Sequence, residues 1–160
     1  VKHHKVIDSP YGPLTLVADD GVLCGLYMTD QRHRPPEESF GLRDDTLFAE
    51  PEAQLEAYFQ GELKEFTLEL TLNGTEFQKS VWSQLQAIPY GETRTYGQLA
   101  DALGNSGASR AVGLANGKNP LGIIVPCHRV IGSTGSLTGY GGGLDRKRRL
   151  LDFERGTALF

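Results

Sequence analysis

Cysteine is scarce in this 160-residue chain: only Cys24 and Cys127 occur. Two thiols exclude a disulfide-stapled scaffold, and no paired-cysteine spacing supports a structural zinc site. A bridge between the two has little motive in a reducing compartment. Cys24 with His3, His4 and His33 offers a conceivable ligand set. Terminal histidines are usually solvated, however, and Cys24 sits inside an apolar strand pattern, so neither a metal nor another cofactor is expected. No apolar run approaches membrane-spanning length, so neither a spanning helix nor a membrane partner is expected. The opening residues lack a basic-then-apolar signal segment, so the expected location is the cytoplasm. Repeats and low-complexity tracts are missing. The lysine-bearing Walker loop is missing too, and with it that class of nucleotide hydrolase.

Charge of either sign is not in large excess, with a formal net of −4. The distribution is less even. Residues 1–75 carry 6 basic and 14 acidic side chains, a net of −8, whereas residues 76–160 carry 10 and 6, a net of +4. Such segregation fits a second half that meets a polyanion, and it equally fits a chance division of surface charge.

The chain length suits one medium domain or two small ones. Lys5-Val6-Ile7 reads as a strand, followed by a Pro/Gly turn over residues 9–13. Leu14 to Ala18 and Val22 to Met28 flank Asp20-Gly21, a strong hairpin signal. Thr29 to Asp45 is polar, holds Pro35-Pro36, and is expected to be a mobile loop. A helix is predicted from Pro51 to about Gln60, and Phe66 to Leu72 alternates as a strand. Asn73-Gly74 marks the boundary. Thr75 with Gln78, and Thr95 with Gln98, form capping boxes for two helices. A third helix follows over about Ala108 to Ala115, after a Gly-bearing turn. The last two of these helices make a helix-turn-helix pattern, weak alone but pointing to DNA when set in the basic half. A last helix is predicted from Arg146 to Glu154, with Asp145 as its cap. Its Arg146-Lys147-Arg148-Arg149 run resembles an import signal, and a solvated or phosphate-facing surface suits it better. The expected fold is α+β: an N-terminal sheet-plus-helix domain of structural role over residues 1–72, then a mainly helical, winged-helix-like domain over residues 73–160.

The richest segment is Val125-Pro126-Cys127-His128-Arg129. A cysteine followed by a base and a permanent cation suits a nucleophile, because an adjacent cation favours thiolate. The other reading is a packed core thiol, since free cysteine is commonly a small buried hydrophobe. Downstream, Gly132 to Gly143 is rich in Gly, Ser and Thr, which fits a lid over a pocket or a plain surface loop.

These residues resemble the O6-alkylguanine-DNA alkyltransferase family. The similarity runs through Ile124–Val130, Phe77-Gln78 with Val81-Trp82, Ile88–Thr93, Tyr96–Ala100, Ser109–Gly113, and Asn119-Pro120 eight residues before the cysteine. With Tyr140 in the glycine-rich segment and Glu154 in the last helix at matching distances, the similarity covers residues 75–156, whereas the first half is similar only in outline. The resemblance implies direct-reversal DNA repair. One alkyl group moves irreversibly from guanine O6, or from O4 of alkylated thymine, to Cys127 after base flipping, once per molecule. It implies that His128 acts on Cys127 through a water, that Glu154 orients His128, and that Asn119 holds the turn. Tyr96 would promote rotation of the nucleotide and protonate the leaving base. Arg110 would fill the stack, with Ala111, Gly113 and Ala115 against the DNA. Val130, Tyr140 and Gly141 would line the guanine pocket, with Lys147 close by.

Chemistry supports the same assignment. A stacked base cannot present O6 to a nucleophile, and displacement at saturated carbon suits a soft thiolate with a protonated leaving group. The small residues of the 108–115 helix read few base edges, so the expected partner is double-stranded DNA bearing alkylated bases, met in the minor groove without sequence preference by a monomer. Some relatives bind zinc in the first domain with several Cys and His; here only Cys24 remains as a possible thiol ligand, so no zinc is expected. Gly139 and Gly141 stand where some relatives carry polar lid residues, leaving alkyl-size preference open. The rival functions are a non-catalytic lesion sensor or DNA-binding regulator, against which Cys127 argues, and a cysteine hydrolase, which needs an oxyanion hole that no motif supplies.

Overall fold

A computed structural model describes residues 1–156; the end of the predicted second domain, residues 157–160, lies outside them. The chain is α+β. Strands β1 (Lys2–Ile7), β2 (Leu14–Asp19) and β3 (Val22–Met28) form an antiparallel meander, and β4 (Leu42–Arg43) adds to β1 in parallel, giving the order β3-β2-β1-β4. The β2–β3 hairpin closes on Asp20 and Gly21, both at positive φ (50° and 81°), the conformation that a two-residue primed turn requires.

β2 is buried on both faces. Leu14, Leu16 and Ala18 enter the main core, while Val17 joins Cys24 and Phe40 in a second cluster. That second cluster corrects the expectation of a mobile 29–45 loop. A short 3-10 turn, Glu37–Phe40, lays Phe40 on this face. There Phe40 stacks on Tyr27 at 5.4 Å, with the Arg34 guanidinium 5.1 Å from its ring. Polarity and proline count concealed one buried aromatic anchor.

Helix α1 (Ala49–Phe59) begins two residues before Pro51, which the first turn tolerates because its N–H groups have no intrahelical acceptor. The 66–72 segment is not a strand, although its alternation is real and Phe66, Leu68, Leu70 and Leu72 pack on the core. The Thr67 N–H goes to the Gln54 side chain at 3.0 Å, and a single bridge, Leu23 to Leu70, touches β3.

In the second half, α2 (Glu76–Gln86) and α3 (Tyr96–Ala102) both carry complete capping boxes at their predicted positions. Helix α4 (Ser109–Gly117) packs against both, and the Trp82 indole N–H of α2 donates to the Ala115 carbonyl at 2.9 Å. β5 (Arg94–Thr95) pairs in parallel with β6 (Val130–Ile131), which sets the start of α3 beside the cysteine segment. Helix α5 (Leu144–Glu154) is capped at Gly143 rather than Asp145, whose carboxylate pairs instead with Arg148. One continuous core joins the two halves. Among the described residues no helix is long and apolar enough to cross a membrane.

Candidate active site and nucleic-acid interface

Cys127 opens a 3-10 turn, Cys127–Arg129, at the end of a tight loop. Asn119 shapes that loop. Its amide donates to the Val125 carbonyl at 2.7 Å, and its oxygen accepts the Leu121 N–H at 3.0 Å. Within the loop Ile123 holds φ at 72°, unusual for a β-branched residue, so the surrounding bonds fix a strained conformer. The sheet supports the loop directly: the Leu26 N–H of β3 donates to the Pro120 carbonyl at 2.8 Å.

The inward stripe of α5 is Lys147, Leu150, Leu151 and Glu154, at helical spacing. Its polar ends serve two different places. Glu154 meets His128, whose Nε2 lies 2.7 Å from Glu154 Oε2. With Nε2 donating to the carboxylate, the bare lone pair is on Nδ1, which has no hydrogen-bond partner among the described residues. Arg129 does not turn to the thiol as its adjacency suggested. Its Nε and Nη2 bind Glu154 at 2.8 and 3.0 Å, and its Nη1 donates to the Ile88 carbonyl at 2.7 Å. Tyr58 of α1 donates to the same Glu154 Oε2 at 2.5 Å. Burial alone would raise the Glu154 carboxyl, but the charges and hydrogen bonds of His128 and Arg129 hold it well below the ordinary carboxylate range. Burial raises the Cys127 thiol, and Asn119 and the Lys147 charge only partly oppose that. At rest the sulfur is therefore a thiol that needs a base.

At the other end of α5, the Lys147 ammonium is fully buried and donates to the Thr138 carbonyl at 2.7 Å. Desolvation brings it down to about 8. The Tyr96 hydroxyl donates to the same carbonyl at 2.7 Å, so two donors latch the glycine-rich segment. Burial raises the Tyr96 phenol, which keeps it a proton donor. Gln31, Asn119, Gly122, Cys127, Tyr140 and Gly141 line a cavity of only about 10 Å³. Ligand pockets commonly need ~300 Å³ or more, so this cavity is closed to a ligand unless the glycine-rich segment moves.

Val130 is fully buried and its N–H returns to the Cys127 carbonyl, so its own carbonyl is the backbone group it could offer a base. One expected site residue faces elsewhere. Ala115 points into the core beneath Trp82, because it lies on the inward face of α4 with Val112 and Asn116. Gly113 faces the Tyr96 ring. The outward face of α4 instead carries Arg110, Ala111, Leu114 and Lys118, with Leu114 64% exposed. Residue types alone missed Leu114; helical phase, with 110, 114 and 118 spaced by four, would have found it. Sequence reading also missed Tyr58, Gln31, and Asn116, whose amide donates to the Cys127 carbonyl at 3.3 Å. Cys24 and Cys127 are both free thiols. Among the described residues no cluster of three His, Cys, Asp or Glu side chains forms a metal-sized set.

Comparison with known proteins gives this arrangement a family. Residues 2–72 match the model of the 6-O-methylguanine DNA methyltransferase ribonuclease-like domain, and residues 76–156 match that of the same family's DNA binding domain. A methylated-DNA–protein-cysteine methyltransferase of Mycobacterium bovis is 56% identical over 156 residues, covering 98% of this chain and 94% of the relative. One of the same name from Methanosarcina acetivorans is 52% identical over 153 residues, covering 95% and 97%. The crystal structure of Mycobacterium tuberculosis OGT in complex with DNA superposes with a TM-score of 0.93 at 56% identity, covering 98% of this chain and 94% of that one. A thiol beside a buried base–carboxylate pair, a lid, and a cationic helix thus sit in a chain that belongs to the methylated-DNA–protein-cysteine methyltransferase family.

Proposed function

We propose that this chain removes an alkyl group from O6 of guanine in double-stranded DNA, and from O4 of alkylated thymine, by moving it to Cys127. The observation that carries the reading is the buried Cys127-His128-Glu154 series, in which Glu154 fixes His128 with its free nitrogen as an acceptor. A raised thiol beside an oriented base follows nucleophile–base–orienter logic. The Cys127 proton passes to His128 through a water. The sulfur forms a bond to the alkyl carbon, the carbon–oxygen bond breaks, and its electron pair leaves with the base. Tyr96 supplies the proton to that base once its hydroxyl is released from Thr138. The thioether has no route of return, so each molecule acts once.

The target nucleotide reaches the thiol by flipping, which needs a lid movement away from the closed cavity. Arg110 fills the vacated stack, and Ala111 lets α4 approach the minor groove. Leu114 joins them, and Lys118 supplies a phosphate contact. Tyr140 and Gly141 line the opened pocket and Lys147 holds its rim. Residues 73–160 carry the reaction, while residues 1–72 brace the cysteine loop and the lid. The protein acts as a monomer in the cytoplasm and reads no sequence.

Intact mass after incubation with duplex DNA containing O6-methylguanine tests this. One added methyl per molecule, absent in Cys127→Ser, is expected, and a duplex containing O4-methylthymine is expected to give the same product. Continued demethylation beyond one equivalent would favour a hydrolase. Tight lesion binding without a mass gain would favour a sensor.

A further inference from the structure

Two elements bond directly to Glu154, and one of them belongs to the half that carries no nucleophile. From the cysteine turn come His128 and Arg129; from α1, across a sequence separation of 96 residues, comes Tyr58. Tyr90, in the turn after α2, and Tyr11, in the β1–β2 turn, act on the carboxylate at longer range, and the Arg149 guanidinium of α5 lies 4.9 Å from the Tyr11 ring. Among these groups, Tyr58 and His128 compete most directly. Both meet Oε2, at 2.5 and 2.7 Å, inside a site where neither Tyr58 nor His128 has any exposed surface.

A carboxylate oxygen that already accepts a strong bond offers less negative charge to its next partner. Charge-assisted bonds in a dry interior make this competition matter. Glu154 stabilises the imidazolium that forms when His128 takes the Cys127 proton. Each donor on Oε2 therefore weakens the drive toward the thiolate–imidazolium pair.

We propose that Tyr58 is a positioning residue of the alkyl transfer: by donating to Glu154 Oε2 it moderates the carboxylate and so sets the pH at which His128 can take the proton from Cys127. The inference rests on the proposed reaction for its biological meaning, but the bond it describes is independent of DNA. Burial and the Glu154 charge hold the Tyr58 phenol well above its ordinary 10, so it stays a donor through the working range. Its ring packs against Phe59, Phe66, Tyr90 and Phe153, which gives the hydroxyl a fixed aim. The first half of the chain thereby reaches the Glu154 carboxylate through one phenol oxygen.

Tyr58→Phe keeps those ring contacts and removes only the donor. The experiment measures two rates against pH: single-turnover methyl transfer from duplex DNA, and alkylation of Cys127 by iodoacetamide in a Cys24→Ser background. In the second, sulfur bonds to the reagent carbon and iodide leaves, so it reports the thiolate without DNA. Freed of one donor, Glu154 should stabilise the imidazolium more. Because a more stable imidazolium gives up its proton later, the acid limb of both profiles, which follows the appearance of the neutral base, should move to higher pH by about 0.5 to 1, with the alkaline plateau held within about twofold. Site-specific 3-fluorotyrosine at position 58, a stronger donor, should move the limb the other way. It also provides the test if Tyr58→Phe does not fold. An unmoved limb with a lowered plateau would overturn the inference and leave Tyr58 a packing residue. Movement of the limb in the same direction for both variants would overturn it as well. Should wild type transfer no methyl group while the iodoacetamide limb moves as described, the proposed reaction fails and this inference stands.

Discussion

Lys147→Met separates two properties that the wild-type site holds in opposition. The ammonium is fully buried, with Thr138 as its hydrogen-bond acceptor, and desolvation brings its proton affinity from 10.5 to about 8. Carrying that charge at neutral pH costs the fold up to about 3 kcal/mol, at ~1.4 per pH unit. The sign follows from linkage. Between 8 and 10.5 the unfolded chain binds the proton that the folded chain has released, so the penalty is full below 8 and fades as pH rises toward 10.5. Methionine keeps most of the aliphatic volume and loses the bond to Thr138, worth about 1 kcal/mol. The variant should therefore be more stable than wild type by about 2 kcal/mol at pH 7, and by about 1 at pH 9. Urea unfolding at the two pH values reads this directly, because the other titrations are common to both proteins. The same variant should transfer methyl more slowly, since the Lys147 charge is one of the features that ease ionisation of Cys127. A stability difference that is flat from pH 7 to 9, or a net loss at pH 7, would refute the reasoning.

Arg110→Ala should slow repair of duplex DNA roughly tenfold more than repair of a single strand, because stacking by the guanidinium offsets an unpairing cost that single strands lack; equal slowing on both would reduce Arg110 to a phosphate contact. Leu114→Gln should weaken duplex binding without changing its salt dependence, whereas Lys118→Ala should lower the salt slope by about one, both read by fluorescence anisotropy across a salt series. Ala111→Phe should block duplex repair sterically while a free alkylated guanine still reacts, and a parallel loss of both would place Ala111 in the fold rather than the interface. Asn119→Ala leaves the Leu121 N–H and the Val125 carbonyl without their partner. Thermal or urea unfolding should show a loss of about 2 to 4 kcal/mol, and an unaffected midpoint would mean the loop holds itself.

Local chemistry was legible in the sequence. Both capping boxes and the Asp20-Gly21 hairpin depend on neighbours within four residues, and they lie where the pattern places them. What failed was what depends on distant partners. Thr67 looks like a strand residue until Gln54 takes its N–H. The 29–45 loop looks mobile until Phe40 finds Val17 and Cys24. Arg129 looks like a thiol activator until Glu154, 25 residues away, claims it. Ala115 suits a DNA contact by size, and only the phase of α4 shows that it faces Trp82 while Leu114 faces outward. Tyr58 gives no local signal, because its partner is fixed by tertiary contact.

β3 lies at the edge of its sheet, yet Leu23, Cys24, Leu26 and Met28 are all buried. Its outer side meets other backbone at two single bridges, Leu23 to Leu70 and Leu26 to Leu121. An apolar edge with unpaired amides is a template for another chain. Here the loop that carries Cys127 also serves as part of the cover. A fragment ending near Asn73 would lose the Leu121 half of that cover and should self-associate through β3. Selection for solubility and selection for repair therefore act on the same few residues between Asn119 and Leu121.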